Sequence, residues 1–543
     1  MRSLRLYKDT AMHLKPSQVI LRIWRRFGAE TPLKRGYTPA PETNKADIEL
    51  VPVLYELDFD PAFCARFDCD AILNGRLQLL HTSMKVDWTP DSWSAKGMSP
   101  LWGFNMHYGE YLLPLAKRSI DTGDIRYLES AKKIIFSWIQ GNPKARQATG
   151  WNSYTISMRA VNWLAFYGEA RELLAVDADF SKAVNESLAQ QYVHLARHLE
   201  KDILANHYLE NLKALVILAC YFCDTTTLEL ALPLLERQVS EQVLPDGAHF
   251  ELSPMYQKIV FEDLLRVEAC LRAQGRSSAI IVSKLKAMCD FVYSMERGTS
   301  RIPLFNDSGD NVAKSANSLI ACAQNHFDVD PDYRDSFSDS GYYLLEGNCS
   351  GHSVKLIFDA GKPGPAYACG HAHCDMLSFE AFLDGEPWIV NSGTFAYQSE
   401  NRLYYKRTGA HNAPQIAGVE QSECWAPFRM ARMAAPLKVS AFDNRIMASM
   451  RDHAGNVLAR TIELTDRGIR IIDENASGKT MSAHFHTLGA FETEGAWKSQ
   501  VCPYAPDFGE AVSSVHLVIS GRSRIDSRIE IEGNVTVFKE VCR

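Results

Sequence analysis

The sequence predicts a multidomain α+β protein in which a helical array precedes an antiparallel β domain. Three observations carry this. The 543 residues exceed what one hydrophobic core spans, so two or three domains are expected. From Trp102 onward, apolar residues recur at helical spacing in one segment after another. Beyond about Val329 the pattern changes to short alternating runs punctuated by Gly, Asp and Asn.

Residues 1–95 read as a mixed lead-in that packs on the helical domain. Pro39, Pro41, Pro52 and Pro61 interrupt any regular period there. Residues 16–27 form a short amphipathic helix, with Ile20, Leu21, Ile23 and Trp24 apolar and Arg22, Arg25 and Arg26 basic. Packing on the body of the protein is its expected role. Residues 96–328 hold the helices, from LWGFNMHYGEYLLPLAKRSI to AIIVSKLKAMCDFVYSM, joined by short connections. Consecutive antiparallel helices of this size build an α/α array, a toroid or a solenoid. No strict repeat period is visible. Residues 329–543 supply the strands, among them HSVKLIFDAG, LSFEAFLDG and VLARTIELTDRGIRIIDEN. The polar stretch DVDPDYRDSFSDS marks the junction.

Composition narrows the function. Hydrophobic residues make up 46% and charged residues 23%, as in ordinary globular proteins. The net charge of −7 argues against a nucleic-acid binder, although a local basic cleft can still take an acidic polymer. The 13 cysteines are odd in number and scattered, which suits reduced thiols. The first residues lack a signal-peptide core and no run is long enough to span a bilayer. A cytoplasmic protein without an integral membrane segment is expected.

Four places concentrate polar and aromatic groups. In the first, Trp151, Asn152 and Tyr154 precede Arg159, Asn162 and Trp163 by one to two helical turns. This mixture suits stacking on sugar rings and pairing with a carboxylate or sulfate. It equally suits an N-cap at Ser153 or Thr155 above an aromatic core. In the second, Asn206 and His207 open a helix, where Asn206 is either a cap or a functional group. In the third, residues 246–256 form a turn, an extended piece and a helix start, with Ser253 as N-cap and Pro254 at the first helical position. Tyr256 then lies in the first turn, where the helix dipole favours phenolate, unless it is simply a core tyrosine. The fourth is residues 370–395. His371, His373 and Asp375 alternate, so an extended chain projects them to one face. A hairpin turning at Asp384-Gly385 follows, and then Arg407 to Asn412. Arg159 and Arg407 are candidate anion contacts or salt-bridge partners.

Taken in order, NHYLENLKAL, DGAHFELSPMYQ, GHAHCDMLSFEAFLDGEPWIVNSGTFAY and RTGAHNAPQI resemble the heparinase II/III-like polysaccharide lyases. The resemblance covers residues 102–428. It implies an incomplete (α/α) toroid followed by an antiparallel β-sandwich, with a cleft for an acidic polysaccharide between them. It also implies β-elimination next to a uronate carboxylate; with no signal-peptide core in view, the expected setting is intracellular oligosaccharide, or capsule or exopolysaccharide being made. By matching positions, Asn206 and His207 neutralise the carboxylate and stabilise the developing enediolate. Tyr256 serves as base or acid and His371 assists proton transfer. Trp151, Asn152, Tyr154, Arg159 and Arg407 are the expected substrate contacts. No cofactor is required for this reaction. His373 and His411 match positions that hold a structural zinc in some members. The third ligand there is an acid in the strand where this chain has Asn391, a neutral and poorer donor. Asp375 is the alternative third ligand, and a cluster without an ion is another outcome. A uronyl C5-epimerase removes the same proton, and a non-catalytic acidic-glycan binder uses the same scaffold. These are the rival readings.

Overall fold

The computed structural model describes residues 2–143 and 149–541. The helical part runs from Pro100–Tyr108 to Ala316–Phe327 and is built on one continuous apolar core. Most helices start at a side-chain cap: Asp124, Asn152, Asp177, Asp224, Ser253, Ser278 and Ser315 each accept a first-turn amide. The stretch LWGFNMHYGEYLLPLAKRSI forms two helices rather than one, Pro100–Tyr108 and Leu112–Thr122. Gly109 breaks it. Its φ of 74° is left-handed, and a Cβ there would meet the Trp163 ring nitrogen at 3.4 Å. Ala205–Tyr221 and Pro254–Ala273 are buried on nearly every face, so they form the inner layer of an (α/α) toroid.

The β part is a sandwich of two sheets. One contains, in spatial order, Lys498–Tyr504, Val512–Gly521, Met481–Thr487, Glu386–Ile389, Phe379–Leu383, His352–Asp359, Tyr342–Cys349 and Ser336–Phe337, with Pro414–Ile416 added beside Met481–Thr487. The other is seven-stranded and antiparallel except where Phe491–Glu494 runs parallel to Val535–Glu540. Val457–Thr465 alternates buried and half-buried residues, which aims one of its faces at the core between the sheets. Arg460 sits in that core, fully buried, paired through both nitrogens with Asp473 at 2.7 and 2.8 Å. It also donates to the carbonyls of Leu377, at 2.9 Å, and Asn412. The sandwich interior thereby holds two loops that lie under the site.

Two mixed apolar clusters join the parts. Leu252, Phe291 and Phe305 pack against Tyr342, Leu344 and Phe382. Met255, Tyr256 and Leu304 pack against Val390, Tyr504 and Phe508. The residues that open the helix carrying Tyr256 are thus wedged against the sandwich.

The lead-in departs from expectation. Its first helix, Arg2–Ala11, packs on the β part and not on the helices. Thr10 donates to the Met430 carbonyl at 3.2 Å and accepts from the Trp425 indole at 3.0 Å. The His13 ring bonds the Ala431 carbonyl at 2.8 Å, and Arg5 pairs with Glu423 at 2.5 Å. The second helix, Pro16–Arg26, turns back to the toroid, where Gln18 donates to the Ile203 carbonyl at 3.2 Å and Arg25 pairs with Asp202. Short polar side chains that find distant backbone carbonyls give no periodic signal, so sequence could not place them. The lead-in is a strap from one part to the other.

The described cysteines are all free thiols, including Cys220 and Cys223, the chain's one C-x-x-C spacing. No described helix is long and apolar enough to cross a membrane.

Candidate active site

A cleft of about 800 Å³ opens between the two parts. Asn152, Tyr154, Asn206, His207, Glu251 and Tyr256 line it from the helices. His371, Tyr397, Phe428 and Arg429 line it from the β part, and Thr10, Leu14 and Arg22 from the strap.

The backbone is bent to present these groups. Leu204 and Ala205, just before Asn206, have φ of 67° and 50°, and Leu252 has φ of 56° just before the Tyr256 helix. Asn306 repeats this at 54° beside Asp307. Non-glycine residues in the left-handed region carry strain, which persists only where the surroundings impose it. Here the Leu252 carbonyl is held by the Tyr342 hydroxyl at 2.6 Å and by the Asn306 amide at 2.9 Å. The cap of the Asn206 helix falls at Leu204, so Asn206 is free of capping duty.

Asn206 donates to Glu251 at 2.7 Å. His207 is about one-third exposed to the cleft, stacks obliquely on Tyr154 at 4.6 Å, and bonds Glu200 through Nδ1 at 3.3 Å. Burial works against a charge on His207. Glu200, with Glu251 and Glu210 beyond it, outweighs that and raises its pKa above the ordinary value. The Tyr256 hydroxyl meets the Tyr397 hydroxyl at 3.0 Å, and its ring lies 4.4 Å from the His371 ring.

Asp307 is the hub, and the sequence did not signal it. Its carboxylate accepts from His371 Nδ1 at 2.9 Å, His373 Nε2 at 2.8 Å, both Arg402 terminal nitrogens at 2.5 and 2.6 Å, and Thr394. Its carbonyl accepts from Ser253, the cap of the Tyr256 helix, at 2.7 Å. Burial alone would raise the Asp307 pKa, but Arg402 and the two histidines hold it well below the usual carboxylate range. Because a carboxylate can only accept, His371 carries its proton on Nδ1. Its Nε2 lone pair is left for the cleft.

The residues expected at the site divide. Asn206, His207, Tyr256, His371, Asn152 and Tyr154 share the cleft wall. Trp151 does not: it is 7% exposed and donates its indole N–H to the Asn142 carbonyl inside the toroid. Arg159 is buried against the Trp138 ring at 3.8 Å and donates to Gln191. Arg407 is exposed away from the cleft and lies over the Tyr404 ring at 4.4 Å. Trp151 and Arg159 are corrected from substrate contacts to framework residues, and Arg407 to a surface residue outside the cleft. The Tyr256 phenolate is also corrected. Burial, then Tyr397, drives its pKa well above 10, and this outweighs the helix dipole. Residues 371–376 form an irregular loop rather than a strand, yet His371 and His373 still converge on opposite oxygens of Asp307.

Asn391 is engaged within the β part. Its oxygen accepts the Asn412 amide at 3.2 Å, its nitrogen points to Ser378, and it is fully buried. The donor set present is His373, Asp375 and His411, whose ligand atoms lie within 4.8 Å of one another. His373 Nε2 donates to Asp307 and His411 Nδ1 donates to the Arg407 carbonyl. Both inward nitrogens, 3.1 Å apart, are then lone pairs facing each other. Burial pushes the His373 pKa down to about 4 and that of His411 well below its ordinary value, so a bridging proton is costly. Two imidazole lone pairs beside a carboxylate fit a divalent cation with zinc's preferences.

Two family models cover nearly all of this architecture: heparinase II/III N-terminus over residues 71–334 and heparinase II/III-like, C-terminal, over residues 330–530. The chain belongs to the heparinase II/III-like family. The heparin-sulfate lyase of Bacteroides thetaiotaomicron is 22% identical over 394 residues, covering 61% of this chain and 53% of that protein. FtsZ-localized protein C of Caulobacter vibrioides is 25% identical over 331 residues, covering 59% and 53%. The match thus spans about half the length of these curated relatives. The solved structure of heparinase III superposes with a TM-score of 0.65 at 15% identity, covering 98% of this chain and 93% of that one. Heparan sulfate lyase HepC of Pedobacter heparinus gives 0.53 at 15% identity, covering 90% and 85%. These heparinase-family structures share the helical and β architecture described above.

Proposed function

We propose that the protein is a polysaccharide lyase that cleaves a uronate-containing acidic glycan by β-elimination. The observation that carries this is the meeting of Asn206, His207, Tyr256 and His371 in one cleft, from three separate stretches of chain. The proton on the carbon next to a carboxylate is very weakly acidic. Its removal requires stabilisation of the negative charge that develops on that carboxylate. A charged His207, backed by Glu200, and the Asn206 amide, pinned by Glu251, supply fixed donors for it. His371 Nε2, oriented by Asp307, is placed to take the proton, in the manner of a base steered by a carboxylate. Tyr256, kept neutral by burial, is the donor to the departing glycosidic oxygen. The carbon–hydrogen pair becomes the new double bond, and the glycosidic carbon–oxygen bond breaks. Mixing the protein with heparan, hyaluronan, alginate, chondroitin and bacterial capsule tests this. Ultraviolet absorbance of a conjugated unsaturated uronate is expected with at least one. Solvent deuterium incorporated next to the carboxylate without that absorbance identifies an epimerase, and binding with neither identifies a glycan binder.

The His207 role has its own check. Activity requires the imidazolium, so it falls as pH rises through the His207 pKa. Glu200→Gln removes the charge that raises that pKa. The alkaline limb of the kcat/KM profile is expected to move to lower pH, and an unmoved limb would exclude His207 as the carboxylate's partner.

We also propose that His373, Asp375 and His411 hold a zinc ion that fixes the loop carrying His371. A bound metal would supply rigidity there and takes no part in the elimination. Elemental analysis of the purified protein is expected to find about one zinc per chain, lost in His411→Ala together with some thermal stability. Full stability of that variant with no metal in either protein would sink the proposal.

A further inference from the structure

The four catalytic groups account for one sugar and its carboxylate. They leave Arg22, Phe428 and Arg429 unexplained, although all three line the same cleft. Phe428 is a large aromatic residue left 41% exposed, 6.2 Å from the His371 ring and 5.4 Å from the Tyr397 ring, centre to centre. A flat apolar face beside the catalytic histidine offers a stacking surface for the next ring of a bound chain. Arg429 follows it at the tip of the hairpin formed by Cys424–Ala426 and Arg429–Met430. Arg22 reaches the cleft from the strap and is half-buried, donating through Nε to the Asp202 carbonyl at 3.2 Å. Among the described residues neither Arg22 nor Arg429 forms an ion pair, and the Asp202 carboxylate is already held by Arg25. The two cations lie in each other's field: after burial, Arg429 is the next factor lowering the Arg22 pKa. Of the other cleft cations, Lys213 is paired with Glu210 and Asp263, Arg266 with Asp58 and Glu262, and Lys314 is buried over the Phe63 ring at 3.0 Å. Two guanidinium groups without a carboxylate partner of their own are complementary to an anion, and the guanidinium fork matches the two oxygens of a carboxylate or sulfate.

We propose that Arg22, Arg429 and Phe428 form a second subsite that binds the anionic group of the sugar adjacent to the reacting uronate. This rests on the lyase reading only for which sugar reacts. Arg22 lies before residue 71, outside the region matched by the family models, whereas Phe428 and Arg429 lie within it. It is assembled by the strap: one strap helix supplies Arg22 and the other braces the hairpin of Phe428 and Arg429 through Thr10 and His13.

The test measures calorimetric binding of acidic tetrasaccharides from heparan sulfate, chondroitin, hyaluronan and alginate to the Tyr256→Phe protein, which holds substrate without turning it over. Arg22→Gln and Arg429→Gln are each expected to weaken the tightest of these about 10-fold. The exposed Arg429→Glu should weaken it further, and Arg22→Lys, which keeps the charge but loses the fork, is expected to fall between Arg22→Gln and the native residue. Matching thermal unfolding curves exclude misfolding. Loss confined to a sulfated tetrasaccharide, with its desulfated counterpart unaffected, assigns the anion as a sulfate. Equal loss on both assigns it as a carboxylate. Wild-type affinity in both Gln variants, or no binding of any tetrasaccharide, overturns the subsite. If the variants lose binding while the native protein makes no unsaturated product, the subsite stands and the lyase reading falls. The reverse pattern separates them the other way.

Discussion

Tyr256→Phe is expected to cut the rate of unsaturated uronate formation by about 10³-fold while leaving glycan affinity within about a factor of two. The substitution removes one oxygen. The ring keeps its place against His371, 4.4 Å away, and against Met255, Ile302 and Leu304 in the interface cluster. Among the described residues the hydrogen bond lost is the one to the Tyr397 hydroxyl, itself half-buried in the cleft wall and open to substrate or water. Folding should therefore be indifferent to the change, and the loss falls on the step that protonates the departing oxygen. Single-turnover rates, measured beside calorimetric affinities, decide it. A variant that keeps more than a tenth of the native rate would remove Tyr256 from the chemistry and pass the proton-donor role to another group at the cleft.

The second large effect is expected at Asp307. Asp307→Asn conserves shape but removes the charge between His371, His373 and Arg402. Arg402 is 1% exposed and would be left as a buried unpaired cation, a loss of about 3–5 kcal/mol of stability. The same change leaves one accepting oxygen, shared among His373, Arg402 and Thr394, and turns an NH2 donor toward His371, so its proton is no longer fixed on Nδ1 and turnover should fall about 10²-fold in the fraction that remains folded. These two consequences are separable. In the double variant Asp307→Asn, Arg402→Met the unpaired cation is gone, and much of the thermal stability should return. Activity should not, because His371 remains unsteered. Recovery of both together would mean that Asp307 acts on the fold alone.

What the sequence made legible follows from where each residue sits. Asn206 and His207, Tyr256 and His371 lie at helix starts or in loops, where polar and aromatic side chains stand out against the pattern around them. Ser253 as the cap of the Tyr256 helix was readable from Ser-Pro spacing, and the structure has it. Trp151 and Arg159 misled for a complementary reason. The helix Ser153–Glu169 is buried on most of its surface, so periodicity does not say which side meets the cleft and which meets Trp138 and Gln191. Asp307 lay beyond reach because its own segment is irregular and all the donors that define it arrive from residues 371–402. Tyr256 was legible in position but not in charge: burial, the decisive effect on its hydroxyl, exists only after the two parts meet.

The strap has a consequence for the order in which the molecule is completed. Thr10 and His13 are made early in synthesis, yet their partners Met430 and Ala431 follow 420 and 418 residues later. The first helix has nothing to dock on until the hairpin exists, and ten residues of helix are marginal alone. Contacts this distant in sequence close late. The toroid can thus be in place while the strap is still loose, and its docking is expected late in folding. A chain stalled just short of that event would hold Tyr256 and His371 together yet lack the seat for the neighbouring sugar.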